Sequence, residues 1–522
     1  MPDEGLDILI RNWRPLAGGP RIIRTKSSTY RVLGGFRGDF KGWDWETAVG
    51  VSASHTTDRE NRISKTLLTE ALARSTPDAL NPFGSNANTF DQIQAITVDV
   101  ENKGSTSLVT GDFRFTKSDV LSDWAGEIGM AFGIDYRNEG YIENRDPRLD
   151  GTIQFADGFR NDRSDIVSVS PTSDSGANRN VIAAYVETLV PLIAPGDGIF
   201  SNELNLQLAI RSEYFGDITD AAVKPKFALS YFPIRGFNFR AAYSKGFRAP
   251  NLVQLNRGDI SRVNTGNVDF VRANAIGNPE DTGVANLRSI RISNPALKPE
   301  NTKTSVLGGV MDVKEWLDPP WLDSFDVSVD YWHFKQTGVI GSFGVQEALA
   351  LDFLQRLEGS SNPNVVRTPV TAGDRLLFDA FNAANPTAMV PVAGEVLFVN
   401  DIFINLDKQK AAGIDIGVQM GFHFDTVGKF KLRAEITKLD KLNIFRNEQI
   451  NALIDDPRFA DELGASAVDQ VEVNGNPKWR GTASLTWHNG RWGGGASLRY
   501  VSGFFDTSAN LVNAEGTNVG HL

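Results

Sequence analysis

Between Gly413 and Asp425 the chain alternates without a break. Ile414, Ile416, Val418, Met420, Phe422 and Phe424 take the even positions, and Asp415, Gln419 and His423 fall among the odd ones. Successive side chains of a strand point to opposite faces, so this pattern predicts a strand with one apolar and one polar side. The run from Ile414 to Phe424 also has the length a tilted strand needs to cross a bilayer, about 9–11 residues. The pattern recurs. Leu204, Leu206, Leu208, Ile210 and Tyr214 oppose Glu203, Asn205, Gln207, Arg211 and Glu213. Trp124, Ile128, Met130, Phe132, Ile134 and Tyr136 oppose Glu127 and Asp135, and Phe430, Leu432, Ala434 and Ile436 oppose Lys429, Lys431, Arg433 and Glu435.

Two turn signals carry a register. Asn489-Gly490 predicts a type I′ hairpin pairing His488 with Arg491, Trp487 with Trp492, Leu485 with Gly494, Ala483 with Ala496 and Trp479 with Tyr500. The other face then pairs Thr482 with Ser497 and Arg480 with Arg499. A hairpin at Lys41-Gly42 pairs Phe40 with Trp43, Val32 with Val51 and Tyr30 with Ala53. In both, the turn places apolar groups of the two strands on one face.

About fifteen strands follow, near 6–14, 28–40, 43–56, 106–117, 124–141, 180–190, 203–214, 223–232, 237–247, 302–314, 325–337, 411–424, 429–441, 478–488 and 491–503. Connections alternate between short ones and long ones at 57–105, 142–179, 248–301, 338–410 and 442–477, with 15–27 and 215–222 more modest. Short turns on one side and long loops on the other predict an all-β, antiparallel up-and-down transmembrane β-barrel. Aromatics at both ends of the apolar faces, as in Trp124 and Tyr136, lie about 20–30 Å apart along a tilted strand, the spacing of two interfacial girdles. A soluble sandwich has no reason to place them so. Ser64–Arg74 and Val345–Leu357 carry helix formers with apolar spacing of three and four, and read as helices packed within loops.

Composition sharpens this reading. No run of 18 apolar residues occurs, and the richest stretch, Val181 to Pro195, is broken by Glu187, Pro191 and Pro195, so no transmembrane helix is expected. Cys is absent from the 522 residues, which removes disulfides and thiolate metal sites, and the net charge of −11 argues against a nucleic-acid partner. Met1 to Asp7 has neither a basic nor an apolar segment of a signal peptide, so an exported protein is expected to start upstream.

Several motifs sit at strand ends. Tyr243-Ser244-Lys245-Gly246-Phe247-Arg248-Ala249-Pro250 resembles the "FRAP" signature of TonB-dependent receptors, and Asn294-Pro295-Ala296-Leu297-Lys298-Pro299-Glu300-Asn301 resembles their NPxLKPE segment. Phe325 to Trp332 fits the aromatic strand that follows in that family. Ala411-Ala412-Gly413-Ile414-Asp415 is similar to its "xxGxD" strand start and Asn476-Pro477-Lys478-Trp479-Arg480 to its late strand, while Asn81-Pro82-Phe83-Gly84 recurs in one branch. The resemblance covers essentially the whole chain. It implies an outer-membrane location and a 22-stranded barrel. It further implies a plug of roughly 130 residues with a TonB-contacting box, and a final strand ending in an aromatic residue. Neither plug nor box is recognisable, strand pattern begins at Leu6, and the chain ends at Gly520-His521-Leu522 in what reads as a loop. The expectation is therefore residues 1–522 as a partial barrel, with the plug, about four strands before Met1 and about three after Leu522 lying elsewhere.

Function follows from the resemblance: TonB-dependent uptake of a scarce nutrient, whether ferric siderophore, cobalamin or oligosaccharide. The expected partners are that small-molecule ligand, the TonB complex acting through the plug, and outer-membrane lipid with lipopolysaccharide. A plug-less passive porin is the alternative that strand physics alone leaves open, and a surface adhesin is the weakest, because it predicts no girdles. No catalytic residues, cofactor or metal are expected. His55, His333, His423, His488 and His521 are scattered, with His423 and His488 on lumen faces. No HExxH, GxSxG or Walker motif occurs. Loop 142–179 clusters Asp146, Asp150, Asp157, Asp162, Asp165 and Asp174 with Arg145, Arg148, Arg160 and Arg163, but lacks DxDxDG spacing, and reads as a solvated extracellular loop in contact with lipopolysaccharide. The motif residues Gly246, Phe247, Arg248, Ala249, Pro250, Asn294, Pro295, Leu297, Lys298, Pro299 and Glu300 are expected to act structurally. Arg248 sets a strand exit before Pro250 in preference to anchoring a ligand.

Overall fold

The computed structural model describes residues 13–83, 87–156, 161–196, 200, 202–218, 222–264, 267–276, 283–284, 287–446, 448–459, 463 and 469–506. Fourteen strands form the wall, each antiparallel to its neighbours in sequence. They are β1 (Ile23–Phe40), β2 (Trp43–Ile63), β3 (Thr97–Ser122), β4 (Glu127–Asn144), β5 (Ser175–Ile193), β6 (Glu203–Phe215) and β7 (Ala222–Ile234). Then come β8 (Phe237–Arg248), β9 (Glu300–Asp312), β10 (Leu322–Ser342), β11 (Val396–Phe424), β12 (Gly428–Phe445), β13 (Trp479–Asn489) and β14 (Trp492–Val501). Each matches one predicted strand. The exception is the strand expected near 6–14: residues 6–12 lie outside the described residues, and Trp13 and Arg14 belong to no strand. Among the described residues β1 and β14 each pair on one side only.

One face of this wall is apolar all round. Val32 faces Val51, which faces Val109. Phe113 faces Ile134, and Leu206 faces Leu229. Tyr331 faces Ile414 and Ile416 faces Ile436. Many of these side chains are left uncovered by protein, from Val109 at 37% to Val32 at 75% exposed. An apolar belt of this extent is a liability in water and the right surface for lipid. Between β1 and β14 the continuous antiparallel ladder meets the other demand of a membrane, that backbone N–H and C=O groups be paired within the protein. Among the described residues no helix is long and apolar enough to cross a membrane.

The two hairpins differ in how well their residues announced them. At Lys41-Gly42 the predicted pairs form, with φ of +55° and +80° at the two turn residues, the left-handed pair of a type I′ turn. At the other hairpin the turn is Gly490-Arg491 rather than Asn489-Gly490. Asn489 pairs with Trp492, Trp487 with Gly494, Leu485 with Ala496, Ala483 with Leu498 and Gly481 with Tyr500. Only Gly490 has positive φ, +59°, the type II′ arrangement. The register is thus displaced by two, which keeps every side chain on its predicted face while changing its partner.

Most wall strands outrun the bilayer on the long-loop side. β11 is the extreme case, with 29 residues. Its first part leaves the wall and pairs parallel with the loop strand Leu287–Ile292 and antiparallel with Val365–Arg367. Helices occupy the loops where apolar spacing predicted them, at Lys65–Leu72, capped by the Ser64 hydroxyl, and at Val345–Leu357.

Candidate functional site

Three regions carry polar chemistry: the rim where the motif strands meet, the lumen wall below it, and a cap of loops above.

The rim is built by the two predicted motifs, which pair with each other. Arg248 ends β8 and stands opposite Glu300, which begins β9. Arg248 Nε and Nη2 donate to the two oxygens of Glu300 at 2.7 and 2.5 Å. The same carboxylate accepts from Gln336 Nε2 and, at 2.7 Å, from the backbone N–H of Ile340. Glu300 is fully buried, whereas the Arg248 side chain is 60% exposed. Around this pair Phe247 meets Phe215 edge-on at 5.7 Å, and Phe247, Ala249 and Leu297 join a cluster with Val181, Leu255 and Ile340. The Pro250 carbonyl accepts from Arg179 at 2.9 Å. Asn294, Pro295 and Leu297 form a turn in which Asn294 Oδ1 accepts from Ala296 N–H, and Asn294 Nδ2 donates to the Phe403 carbonyl. Lys298 is held through its backbone by the Asn405 side chain, and the Pro299 carbonyl accepts from Asn301. Gly246 leaves room for a neighbour, since a Cβ there would stand 2.6 Å from Thr302 Oγ1. The motif residues thus converge on one joint between wall and loops.

The lumen wall carries charges in cross-strand pairs. Arg240 Nε donates to Asp330 at 2.8 Å and Nη2 to its other oxygen. A cleft of about 580 Å³ beside them is lined by Arg240, Asp326, Asp415, Gln419, Glu435 and Thr437. Thr437 donates to Asp415 at 2.7 Å. Arg211 bridges Asp135 and Glu213 at 2.8 and 2.7 Å. Gly413 is glycine because the Trp332 indole crosses it on this face; a Cβ would sit 2.6 Å from the ring. Nothing in the sequence reading singled out Arg240 or Asp330. Their lumen-face parity, combined with the register of β8, β9 and β10, was the only available signal.

The cap unites segments of the loops 249–299, 343–395 and 446–478 around one apolar core of Phe270, Leu349, Phe353, Phe378, Val399 and Phe459. Inside it lies an ion network. Arg367, 5% exposed, donates to both oxygens of Asp269 at 2.7 and 2.8 Å and to Asp352 at 3.0 Å. Arg356 also donates to Asp352, at 2.8 Å. Burial pulls the Arg367 guanidinium down, but its hydrogen bonds to Asp269 win and hold it above its ordinary value. At the start of the helix Ala372–Ala384, Thr371 and Asp374 form a capping box and Arg272 donates to Asp374 at 2.6 Å.

Those contacts, Arg272 first and then Thr371, lower the Asp374 carboxyl to about 2. A carboxyl lowered on folding contributes stability above its unfolded value and loses it as pH falls through the folded one. Hydrogen exchange in the first turn of this helix is therefore expected to stay slow down to about pH 4 and to rise as pH approaches 2. In Arg272→Gln the rise should begin at higher pH; an unchanged profile would show that Arg272 does not set it.

Among the described residues no group of three or more His, Asp or Glu is arranged to hold a metal ion. His423 Nδ1 bonds Asp323 at 2.7 Å and His55 Nδ1 bonds Ser105 at 2.9 Å. In loop 142–179, Asp165 accepts from Ser64 and Thr66, and Asp146 and Asp174 bind backbone N–H groups. The side chains of Asp157, Arg160 and Asp162 lie outside the described residues, as do Gly84 and His521.

The family model described as TonB dependent receptor-like, beta-barrel, matches residues 6–519. Among solved structures, the siderophore receptor PirA from Acinetobacter baumannii shares 11% identity, covering 89% of this chain and 50% of that one at a TM-score of 0.44. A variant of the ferric enterobactin receptor PfeA from Pseudomonas aeruginosa shares 12%, covering 92% and 50% at 0.49. The RagAB peptide transporter shares 12%, covering 92% and 48% at 0.46. The chain spans about half the length of these structures. No curated protein matches it.

Proposed function

The chain belongs to the TonB-dependent receptor-like β-barrel family, and from that membership we propose that it forms the ligand-capturing barrel of an outer-membrane transporter for a scarce nutrient. The nutrient classes are a ferric siderophore, cobalamin or an oligosaccharide. The family match over residues 6–519 carries this reading. On it, the cap and the charged lumen clefts contact the ligand. A plug domain, coupled to the TonB complex, gates the passage. The motif joint at Arg248 and Glu300 ties the cap-bearing loops to the wall, a positioning role rather than ligand contact.

The test is a titration of the detergent-solubilised chain with a ferric catecholate, a ferric hydroxamate, cobalamin and a maltooligosaccharide, read by intrinsic tryptophan fluorescence. Saturable binding of one class, competed by its unlabelled congeners, is the expected result. Absence of any binding, together with a steady ohmic conductance in planar bilayers, would replace the receptor with a passive pore.

A further inference from the structure

Lys245, Lys303, Lys335 and Lys410 stand directly opposite one another across β8, β9, β10 and β11. Facing residues of an antiparallel pair have Cβ atoms about 4.5–5.5 Å apart, and like charges placed so repel. Some lysines elsewhere on the wall have carboxylate partners, as Lys103 has Glu101 and Lys438 has Asp440. Among the described residues no carboxylate pairs with any of these four. Lys410 lies 5.1 Å from the Phe445 ring centroid. A fifth lysine, Lys224, is drawn towards the row by Asn301, whose Oδ1 accepts from its Nζ at 2.7 Å. Lys224, Lys245, Lys303 and Lys335 line one cleft of about 380 Å³ together with Asn301 and Thr337. A basic cleft without an internal counter-charge is complementary to an anion from outside.

Its height on the wall identifies the source of that anion. By register Lys245, Lys303, Lys335 and Lys410 share the lipid face with Tyr243, Leu307, Tyr331 and Ile414, while Lys224 starts from the opposite parity, facing Arg211, and reaches the row through Asn301. On β11, Phe424 to Ile414 spans about 25 Å along the axis at a tilt near 40°, the height of a barrel's apolar band. Lys410 lies four residues before Ile414, about 10 Å beyond it in the same direction. The row therefore lies just past the band on the long-loop side, the outer side of an up-and-down outer-membrane barrel. We propose that this lysine row binds the phosphate groups of a phosphorylated lipid headgroup in the outer leaflet, its acyl chains lying along Tyr243, Leu307 and Tyr331. The inference needs only the membrane-spanning wall and is independent of the nutrient carried.

The probes are bis-phosphorylated lipid A, its dephosphorylated form and inorganic phosphate, added to the whole chain in neutral detergent and read by native mass spectrometry and thermal unfolding. Wild type should retain lipid A and gain thermal stability from it. Lys303→Gln/Lys335→Gln should weaken retention at least about tenfold, with Lys429→Gln/Lys431→Gln as a charge-matched control that keeps it. Without lipid the first variant should melt no lower than wild type, because it removes a repulsion. Equal retention by that variant, or equal retention of the dephosphorylated lipid, would overturn the proposal. Displacement of lipid A by millimolar inorganic phosphate would reduce the row to a free-anion site, and a lower lipid-free melting temperature would make the lysines structural.

Discussion

Arg367→Ala is expected to melt the loop cap while the barrel wall stays folded. The guanidinium bridges two carboxylates from different loops, Asp269 before β9 and Asp352 in the helix Val345–Leu357. Asp269 is 2% exposed and Asp352 fully buried. Taking one partner from a buried pair leaves an uncompensated charge, at a cost of about 3–5 kcal/mol. Asp352 keeps Arg356, so the cost falls mainly on Asp269. The loss also uncouples the Gly394 carbonyl, which accepts from Arg367 at 3.0 Å. Limited proteolysis should cut within 343–395 where wild type resists, and hydrogen exchange should quicken there, while the wall amides of β1 to β4 keep their protection. Adding Asp269→Asn and Asp352→Asn should recover much of the loss, since the damage is stranded charge rather than lost packing. If the triple variant is as labile as the single, packing rather than charge holds the cap.

Much of the wall was legible because a lipid-facing strand must alternate, and alternation survives any local sequence. The Lys41-Gly42 hairpin was legible in full, since its turn and its facing apolar pairs select the same register. The Gly490 hairpin was not. Registers differing by two residues place identical faces together, so the alternation that revealed the strands says nothing between them. Asn489-Gly490 favours one on turn chemistry alone. The structure takes the other, where Trp487 lies against Gly494 and Asn489 Nδ2 reaches the Thr426 carbonyl at 3.3 Å. The run Gly493 to Gly495 offers no side chains with which to resist that slip. The cap was illegible for a different reason. Asp269 and Arg367 lie 98 residues apart, and no period links loops that meet only in space. Its helix Val345–Leu357 could be read, but not what the helix packs on. The extension of β11 back to Val396 was hidden likewise, because pairing with Leu287–Ile292 is decided by the cap.

Glu300→Gln should loosen the rim joint more than Arg248→Gln does, although the two side chains share one ion pair. The asymmetry follows from burial. Glu300 is fully buried and accepts from Arg248, Gln336 and the Ile340 N–H, so it is satisfied only as a carboxylate. An amide there turns its NH₂ towards one of those donors, leaving at least one buried donor unpaired, at about 1–3 kcal/mol in addition to the lost charge-assisted bonds. Arg248 is largely exposed, so its removal is partly made good by water, and the carboxylate keeps two donors. A loss of about 2–4 kcal/mol is expected for Glu300→Gln and about half of that for Arg248→Gln. The Ile340 amide is the direct reporter, and its exchange should accelerate sharply in Glu300→Gln and modestly in Arg248→Gln. In the double variant the two effects should fall short of additivity, the mark of a shared interaction. Equal effects of the two single variants would mean that the pair behaves as a solvated surface bridge. The two motifs would then be joined by the apolar cluster of Phe215, Phe247 and Leu297 instead.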